Sequence, residues 1–346
     1  MGPGVAATGG VGTLSEEAQP KPGFVTGMAV YETYDSSVPT VDKPFGLALI
    51  ELAKRRPDIV GLTADVGKYT DIDVFAEAFP ERFLQVGMAE QNLVGIAAGL
   101  ARSGYTPFAT SYCTFFTRRA YDFIAIAIAE GRANVKLIAA LPGLTTGYGS
   151  THQGLEDLAL MRVVPNLVVI DPCDATEISQ ATTAIGEYDG PVYMRILRGR
   201  VKQVFDPKCY RFEIGRACKL RDGSDLALIT TGLMTDRAIQ VADQLQREGV
   251  RASVLHVPTL KPLDEESILA ATADSRVVFT LENHTVVGGL GSAVADALCK
   301  EGVPVRLTKL GLPDRFLECG SVPYLTEKYG LSVSRIVRAA RIAVAA

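Results

Sequence analysis

A doubly wound α/β architecture, built twice, is what this 346-residue sequence predicts, and three observations lead there. Strand-like and helix-like stretches alternate along the chain. The strand-like stretches are continuous apolar runs, as expected of parallel strands covered by helices on both faces. The alternation breaks once, around 201–214, where Asp206-Pro207 and isolated charges interrupt it. The length accommodates two domains of ordinary size. The expected organisation is a flexible tail over 1–25, a first α/β domain over 26–200, a linker over 201–214 and a second α/β domain over 215–346.

Each element has its own reason. The tail is Gly, Ala, Thr and Pro with charges and no apolar core segment, which does not read as a signal peptide. A helix is expected over 43–56, with Pro44 early and Phe45, Leu47, Leu49, Ile50, Leu52 and Ala53 as its apolar face. Apolar runs predict strands over 59–64, 83–86, 105–110, 135–141, 167–170 and 192–197, with helices over 95–103, 115–130 and 175–186 among them. In the second half strands are expected over 225–231, 254–257, 277–281 and 305–309, with helices over 235–248, 291–299 and 332–344.

Composition excludes several classes of function. The chain is 47% hydrophobic and 21% charged, as in a globular protein with well-filled cores. A net charge of −4 provides no basic field for nucleic acid, and no Lys/Arg cluster suggests a membrane surface. The apolar run 123–129 ends at Glu130, well short of a ~20-residue membrane span. Six cysteines stand singly, which suits a reducing cytoplasm, and three histidines lie far apart, so no metal site is expected from this chain alone.

Polar and aromatic residues collect where the first sheet's ligand-facing edge should lie. Glu90 stands where the run 83–86 stops and the helical spacing of Leu93, Ile96, Ala97 and Leu100 begins. Asp65 ends a strand. The segment 108–122 carries Tyr112, Phe115 and Arg118 from strand into helix. A glycine-rich loop over 143–154 holds Tyr148 and His152, and Arg198 ends the last strand of the domain. Separately these are an acidic helix cap, a core ring, a loop histidine and a solvated strand end. Together they place a carboxylate, an aromatic ring, an imidazole and a guanidinium on one rim.

At these residues the chain resembles transketolase. Asp65, Val86-Gly87-Met88-Ala89-Glu90-Gln91-Asn92, Thr114-Phe115, Ser150-Thr151-His152-Gln153, Pro165-Asn166, Leu281-Glu282-Asn283-His284 and Gly288-Gly289-Leu290-Gly291-Ser292-Ala293 look like the carboxy-terminal part of transketolase and of deoxyxylulose-phosphate synthase. The resemblance covers the chain from about residue 40 onward. It implies a pyrimidine-binding domain followed by a transketolase C-terminal domain, with thiamin diphosphate as cofactor. Glu90 would hydrogen-bond the aminopyrimidine and activate the cofactor, with Phe115 stacking on that ring and Tyr112, Arg118 and Asp65 beside it. His152 would be catalytic and contact the substrate with Tyr148, and Arg198 would meet the substrate's far or phosphate end. The reaction implied is transfer of a two-carbon ketol unit from a ketose to an aldose.

Two departures from the family pattern bear on the substrate. Tyr148 stands four residues before His152, where the family usually has an Asp that reads a sugar hydroxyl. Tyr69 stands where many transketolases have a phosphate-holding serine. A larger departure concerns the diphosphate. The family holds it through a cation bound by Gly-Asp-Gly and an Asn about 25–30 residues later, oxygen ligands that suit a hard ion. This chain has Arg221-Asp222-Gly223 and no such Asn. The expectation is therefore a split enzyme: a separate N-terminal subunit supplies the diphosphate site with Mg2+ or Ca2+, and the assembly is a heterotetramer with two copies of each chain. The beta subunit of a 2-oxoacid dehydrogenase is the nearest alternative, and a non-catalytic regulatory subunit another. Gly289-Leu290-Gly291 also invites a dinucleotide reading, weakened by Val294 at the third glycine position. His284 reads as structural, and the second domain has no chemical role on sequence grounds.

Overall fold

The apolar runs 59–64, 105–110, 135–141, 167–170 and 192–197 become buried strands, while the edge strand expected over 83–86 stays largely exposed. The computed structural model describes residues 38–345 apart from 274 and 276. The tail expected over 1–25, and residues 26–37 of the expected first domain, lie outside the described residues. In the first half the order is β1 (Thr40–Asp42), α1 (Pro44–Arg55), β2 (Ile59–Thr63), α2 (Asp73–Ala78), β3 (Phe83–Gln85), α3 (Glu90–Arg102), β4 (Thr106–Tyr112), α4 (Cys113–Phe123), β5 (Lys136–Ala140), α5 (Asp157–Val163), β6 (Val168–Ile170), α6 (Ala175–Glu187), β7 (Val192–Ile196) and β8 (Arg200–Lys202). The second half adds β9 (Cys218–Arg221), β10 (Leu226–Thr230), α7 (Met234–Arg247), β11 (Ala252–His256), β12 (Thr259–Lys261), α8 (Glu265–Thr272), β13 (Val277–Thr285), α9 (Leu290–Lys300), β14 (Arg306–Leu312), α10 (Val322–Lys328) and α11 (Val333–Ala345).

The first sheet runs β12-β6-β7-β5-β4-β2-β3 and the second β14-β13-β10-β11-β9, while β1 pairs with β8 in a two-stranded ribbon. Within the first sheet β2, β3, β4, β5, β6 and β7 pair in parallel. Helices cover both faces: Leu49, Leu52, Ile178 and Ile185 pack on one, Leu93, Ala97, Phe116 and Met161 on the other. The second sheet is sandwiched likewise, by Val241 and Ile336 on one side and Ile268 and Val294 on the other.

Among the departures from the sequence expectation, three bear on the site or on how the two halves of the chain join. The helix expected over 95–103 begins at Glu90, so the carboxylate belongs to its first turn. The helix expected over 115–130 is α-helical to Phe123 and then widens into a π-helix, Ile124–Glu130. Isoleucine at every second position crowds a tight helix, and the wider turn still buries Ile124 and Ile128. Finally, β12 leaves the second half of the chain and pairs antiparallel with β6 of the first sheet, Thr259 opposite Ile170. The two halves of the chain are thereby joined by backbone hydrogen bonds. The expected linker has no helix or strand from 203 to 214, yet Phe205, Tyr210 and Phe212 are buried in it.

Candidate active site

The first sheet reverses its winding between β2 and β4. After β2 the chain adds β3 on one side, then returns to lay β4 on the other. Ligands of open α/β sheets bind in the crevice outside the carboxyl ends at such a reversal. Asp65 follows β2, Glu90 follows β3, and Tyr112 and Phe115 mark the turn from β4 into α4. Asp65 is exposed in the left-handed region (φ 60), and its backbone N–H donates to Gln85 Oε1 at 2.7 Å.

Glu90 is only 2% exposed. At the start of α3 its charge meets the positive end of the helix dipole, but its side chain makes no capping hydrogen bond. Instead Oε1 accepts from Arg119 Nη1 at 2.9 Å, and the Arg119 guanidinium lies 3.8 Å over the Phe115 ring. The sequence pointed to the neighbouring Arg118, which turns the other way. Arg118 pairs with Glu156, donates to the Ser150 carbonyl at 2.6 Å and stacks on Phe316. It borders a separate cleft of about 420 Å3 lined by Leu155, Glu156 and Phe316 among others. The signal for Arg119 was in the sequence: residues four apart share a helix face, so it is Arg119 that stands over Phe115.

Aromatic rings gather around His152. Tyr112 and Phe115 lie 5.0 Å apart, and their centroids are 5.8 and 5.6 Å from the imidazole. Tyr148 meets it edge-on at 5.5 Å. His152 Nδ1 is 2.8 Å from Thr151 Oγ1. Partial burial, then the charge of Arg119, holds this imidazole below its ordinary pKa, so it is neutral near pH 7.

Arg198 completes the rim from just beyond β7. It is 8% exposed, its Nε is buried without a partner, and its guanidinium lies 5.7 Å over Tyr69. The carboxylate of Asp71 is taken by the Gly199 N–H, at 2.8 and 3.1 Å. Burial raises the Asp71 carboxyl to about 6 against the pull of that N–H and of Arg198. Burial likewise raises the Tyr112 phenol, with Arg198 opposing and Tyr69 and Tyr148 reinforcing the shift. The structure thus brings Glu90, Tyr112, Phe115, Tyr148 and His152 into one cluster with Arg198 beside it, sets Asp65 on the rim and leads Arg118 away. Among the described residues no group of His, Cys, Asp or Glu could hold a metal ion, and no helix is long and apolar enough to cross a membrane.

The second domain holds the site in place. Asn283 Oδ1 accepts from the Leu144 N–H at 2.8 Å, and its Nδ2 donates to the Pro142 carbonyl at 3.1 Å, fixing the root of the glycine-rich loop. Farther along, the Gly320 N–H donates to the Gly147 carbonyl, and a Cβ on Gly147 would lie 2.1 Å from the Gly320 oxygen. His284 is buried, donating from Nδ1 to the Thr285 carbonyl and accepting at Nε2 from the Ala159 N–H. Glu282 answers the dinucleotide reading. Its carboxylate accepts from the Leu290 and Gly291 N–H groups at 2.7 and 2.9 Å, filling the helix start a phosphate would need.

Fold and site define a two-domain doubly wound α/β protein with a ligand crevice at the first sheet's reversal and a second domain that braces it. The family models for the transketolase pyrimidine-binding domain and the transketolase C-terminal domain match residues 38–203 and 215–336. The chain belongs to the transketolase family. It is 52% identical over 319 residues to the uncharacterised transketolase family protein y4mN of Sinorhizobium fredii, covering 92% of each. It is 40% identical over 293 residues to the 6-deoxy-6-sulfo-D-fructose transketolase subunit SqwH of Clostridium sp., covering 84% of this chain and 90% of that one. Among solved structures, a split gene transketolase described as an inactive beta4 tetramer superposes with a TM-score of 0.81 at 42% identity, covering 88% of this chain and 97% of that one.

Proposed function

We propose that this chain is the pyrimidine-binding subunit of a two-chain transketolase that transfers a ketol unit from a ketose to an aldehyde. The observation that carries the reading is Glu90, a carboxylate 2% exposed at the sheet's reversal and linked through Arg119 to the half-buried ring of Phe115. Glu90 and Phe115 fit the aminopyrimidine of thiamin diphosphate, and among the described residues no group of His, Cys, Asp or Glu could hold a cation. A partner chain would hold those groups with Mg2+ or Ca2+, in a heterotetramer with two copies of each chain. When bound, thiamin diphosphate supplies a nucleophilic carbon and an electron sink beside a carbonyl.

This chain's residues do the rest. Glu90 would hydrogen-bond a ring nitrogen from a position largely closed to water. Phe115 presents a stacking face, and Arg119, which occupies both contacts, turns aside. His152 Nδ1 is engaged with Thr151 Oγ1, and its Nε2 would face a substrate oxygen. Arg198, a buried cation, receives an anionic end. The donor's carbon–carbon bond next to its carbonyl breaks and the shortened aldose leaves. A new bond forms at the acceptor's aldehyde carbon, whose oxygen takes a proton, with no net oxidation. The test is Glu90→Gln assayed with the diphosphate-binding chain. Ketol transfer should fall about 10²–10⁴-fold, and calorimetry should show weakened thiamin diphosphate binding with assembly intact. Unchanged turnover would instead make the chain a non-catalytic regulatory subunit.

A further inference from the structure

Arg198 lies just beyond β7, yet what holds it comes from the turn after β2. Tyr69, in that turn, lies under the guanidinium at 5.7 Å. Two residues on, Asp71 is 1% exposed, and both its carboxylate oxygens accept from the Gly199 N–H, at 2.8 and 3.1 Å. That N–H belongs to the peptide joining Arg198 to Gly199. The Gly199 carbonyl is taken in turn by the Lys43 N–H at 2.7 Å. Asp71 and Gly199 both sit in the left-handed region, with φ 59 and 66, which aspartate adopts only at a cost. The turn itself is pinned. Thr70 is buried, donates to the Val66 carbonyl at 3.1 Å and lies 2.8 Å from Thr110 Oγ1 of β4. Helix α1 closes over it, since a Cβ on Gly46 would lie 2.1 Å from the Asp71 carbonyl oxygen. A buried carboxylate is a costly acceptor for one neutral N–H. The charges of Arg198 and Lys43 offset that cost.

Resting on the transferase reading above, we infer that Asp71 is a positioning residue: through the peptide between Arg198 and Gly199 it holds Arg198 where an acceptor's anionic end is received. Asp71 touches no substrate and acts only through Arg198. Its loss therefore weakens the binding of charged acceptors and spares uncharged ones. An interaction made equally in the ground and transition states appears in KM rather than kcat.

The test uses the chain assembled with its diphosphate-binding partner and hydroxypyruvate as donor. The donor's bond to its carboxylate breaks and CO2 leaves. The ketol unit's new bond forms at the acceptor's aldehyde carbon, whose oxygen takes a proton. The acceptors compared are glyceraldehyde 3-phosphate and uncharged glyceraldehyde. Asp71→Gly suits the left-handed φ but offers no side-chain acceptor, whereas Asp71→Asn tolerates that φ and keeps an oxygen for the N–H. We expect Asp71→Gly to raise KM for the phosphorylated acceptor by about tenfold with kcat little changed, and to leave glyceraldehyde unaffected. Asp71→Asn should stay within about twofold of the native enzyme on both acceptors, and in an Arg198→Met background Asp71→Gly should change neither further. Four results would each overturn the inference while transfer by the native assembly stands: equal loss on both acceptors, an unmoved KM for the phosphorylated one, a loss in Asp71→Asn as large as in Asp71→Gly, or a full further effect in the Arg198→Met background. No transfer by the native assembly from hydroxypyruvate or any ketose would sink the transferase reading and this one with it.

Discussion

The two sheets carry the same kind of crevice and use it in opposite ways. In the first, the reversal between β2 and β4 opens onto Tyr148 and a buried Arg198 whose Nε has no hydrogen-bond partner. In the second, the reversal lies between β10 and β13 and is plugged by the other domain. The Gly232 N–H donates to the Asp171 carbonyl at 3.0 Å, and a Cβ on Gly232, which has φ 54, would lie 2.5 Å from Asp171 Oδ2. Glu282 and His284, at the end of β13, spend their polar atoms on backbone groups. A fold creates the crevice, and only the groups left unsatisfied in it make a site.

Arg195 and Arg198, three residues apart, put that contrast to the sharpest test. Arg195 is 1% exposed and held by Asp157, at 2.8 and 2.5 Å, and by Asp171 at 3.4 Å. Arg195→Met leaves both carboxylates buried without their cation and should cost about 3–5 kcal/mol in urea unfolding. Next comes pH. Burial depresses the His284 imidazole to about 4, so its contribution is complete above its unfolded value of about 6.5 and lost as pH falls toward 4. The loss should be on the order of 3 kcal/mol, read as the difference in pH dependence between the native chain and His284→Gln. Asn283→Ala, which strands the Leu144 N–H and the Pro142 carbonyl, should cost about 2 kcal/mol. It should also slow ketol transfer more than it weakens thiamin diphosphate binding. Arg119→Ala should cost about 1 kcal/mol, less than a fully buried pair because this guanidinium is half exposed. Smallest is Arg198→Met, which removes a desolvated cation and should change stability by less than about 1 kcal/mol or raise it, while KM for anionic acceptors rises. A destabilisation equal to that of Arg195→Met would erase the distinction between the two edges.

The parts legible in the sequence were those whose signal is local. Runs such as 135–141 and 192–197 announce buried parallel strands because both faces are covered. Glu90, Tyr112, Phe115, His152 and Arg198 were legible as a rim because each follows such a run. What was not legible depends on a partner distant in sequence. The three residues of β12 form no apolar run, and their pairing is specified by the free edge of β6. Asn283 looked like part of a motif, and its work on Pro142 and Leu144 needs the fold to bring them together. Arg118 and Arg119 differ only in helical phase, which a linear inspection passes over.

The strand β12 also sets a limit on protein engineering. Dividing the gene near 210, to express each half or to graft a different second domain, would strip β6 of its outer neighbour and bare a row of ladder donors and acceptors. Such an edge recruits other chains, so the isolated first half should precipitate unless residues 259–261 travel with it. Domain exchange among these enzymes would succeed only at junctions that carry the borrowed strand along.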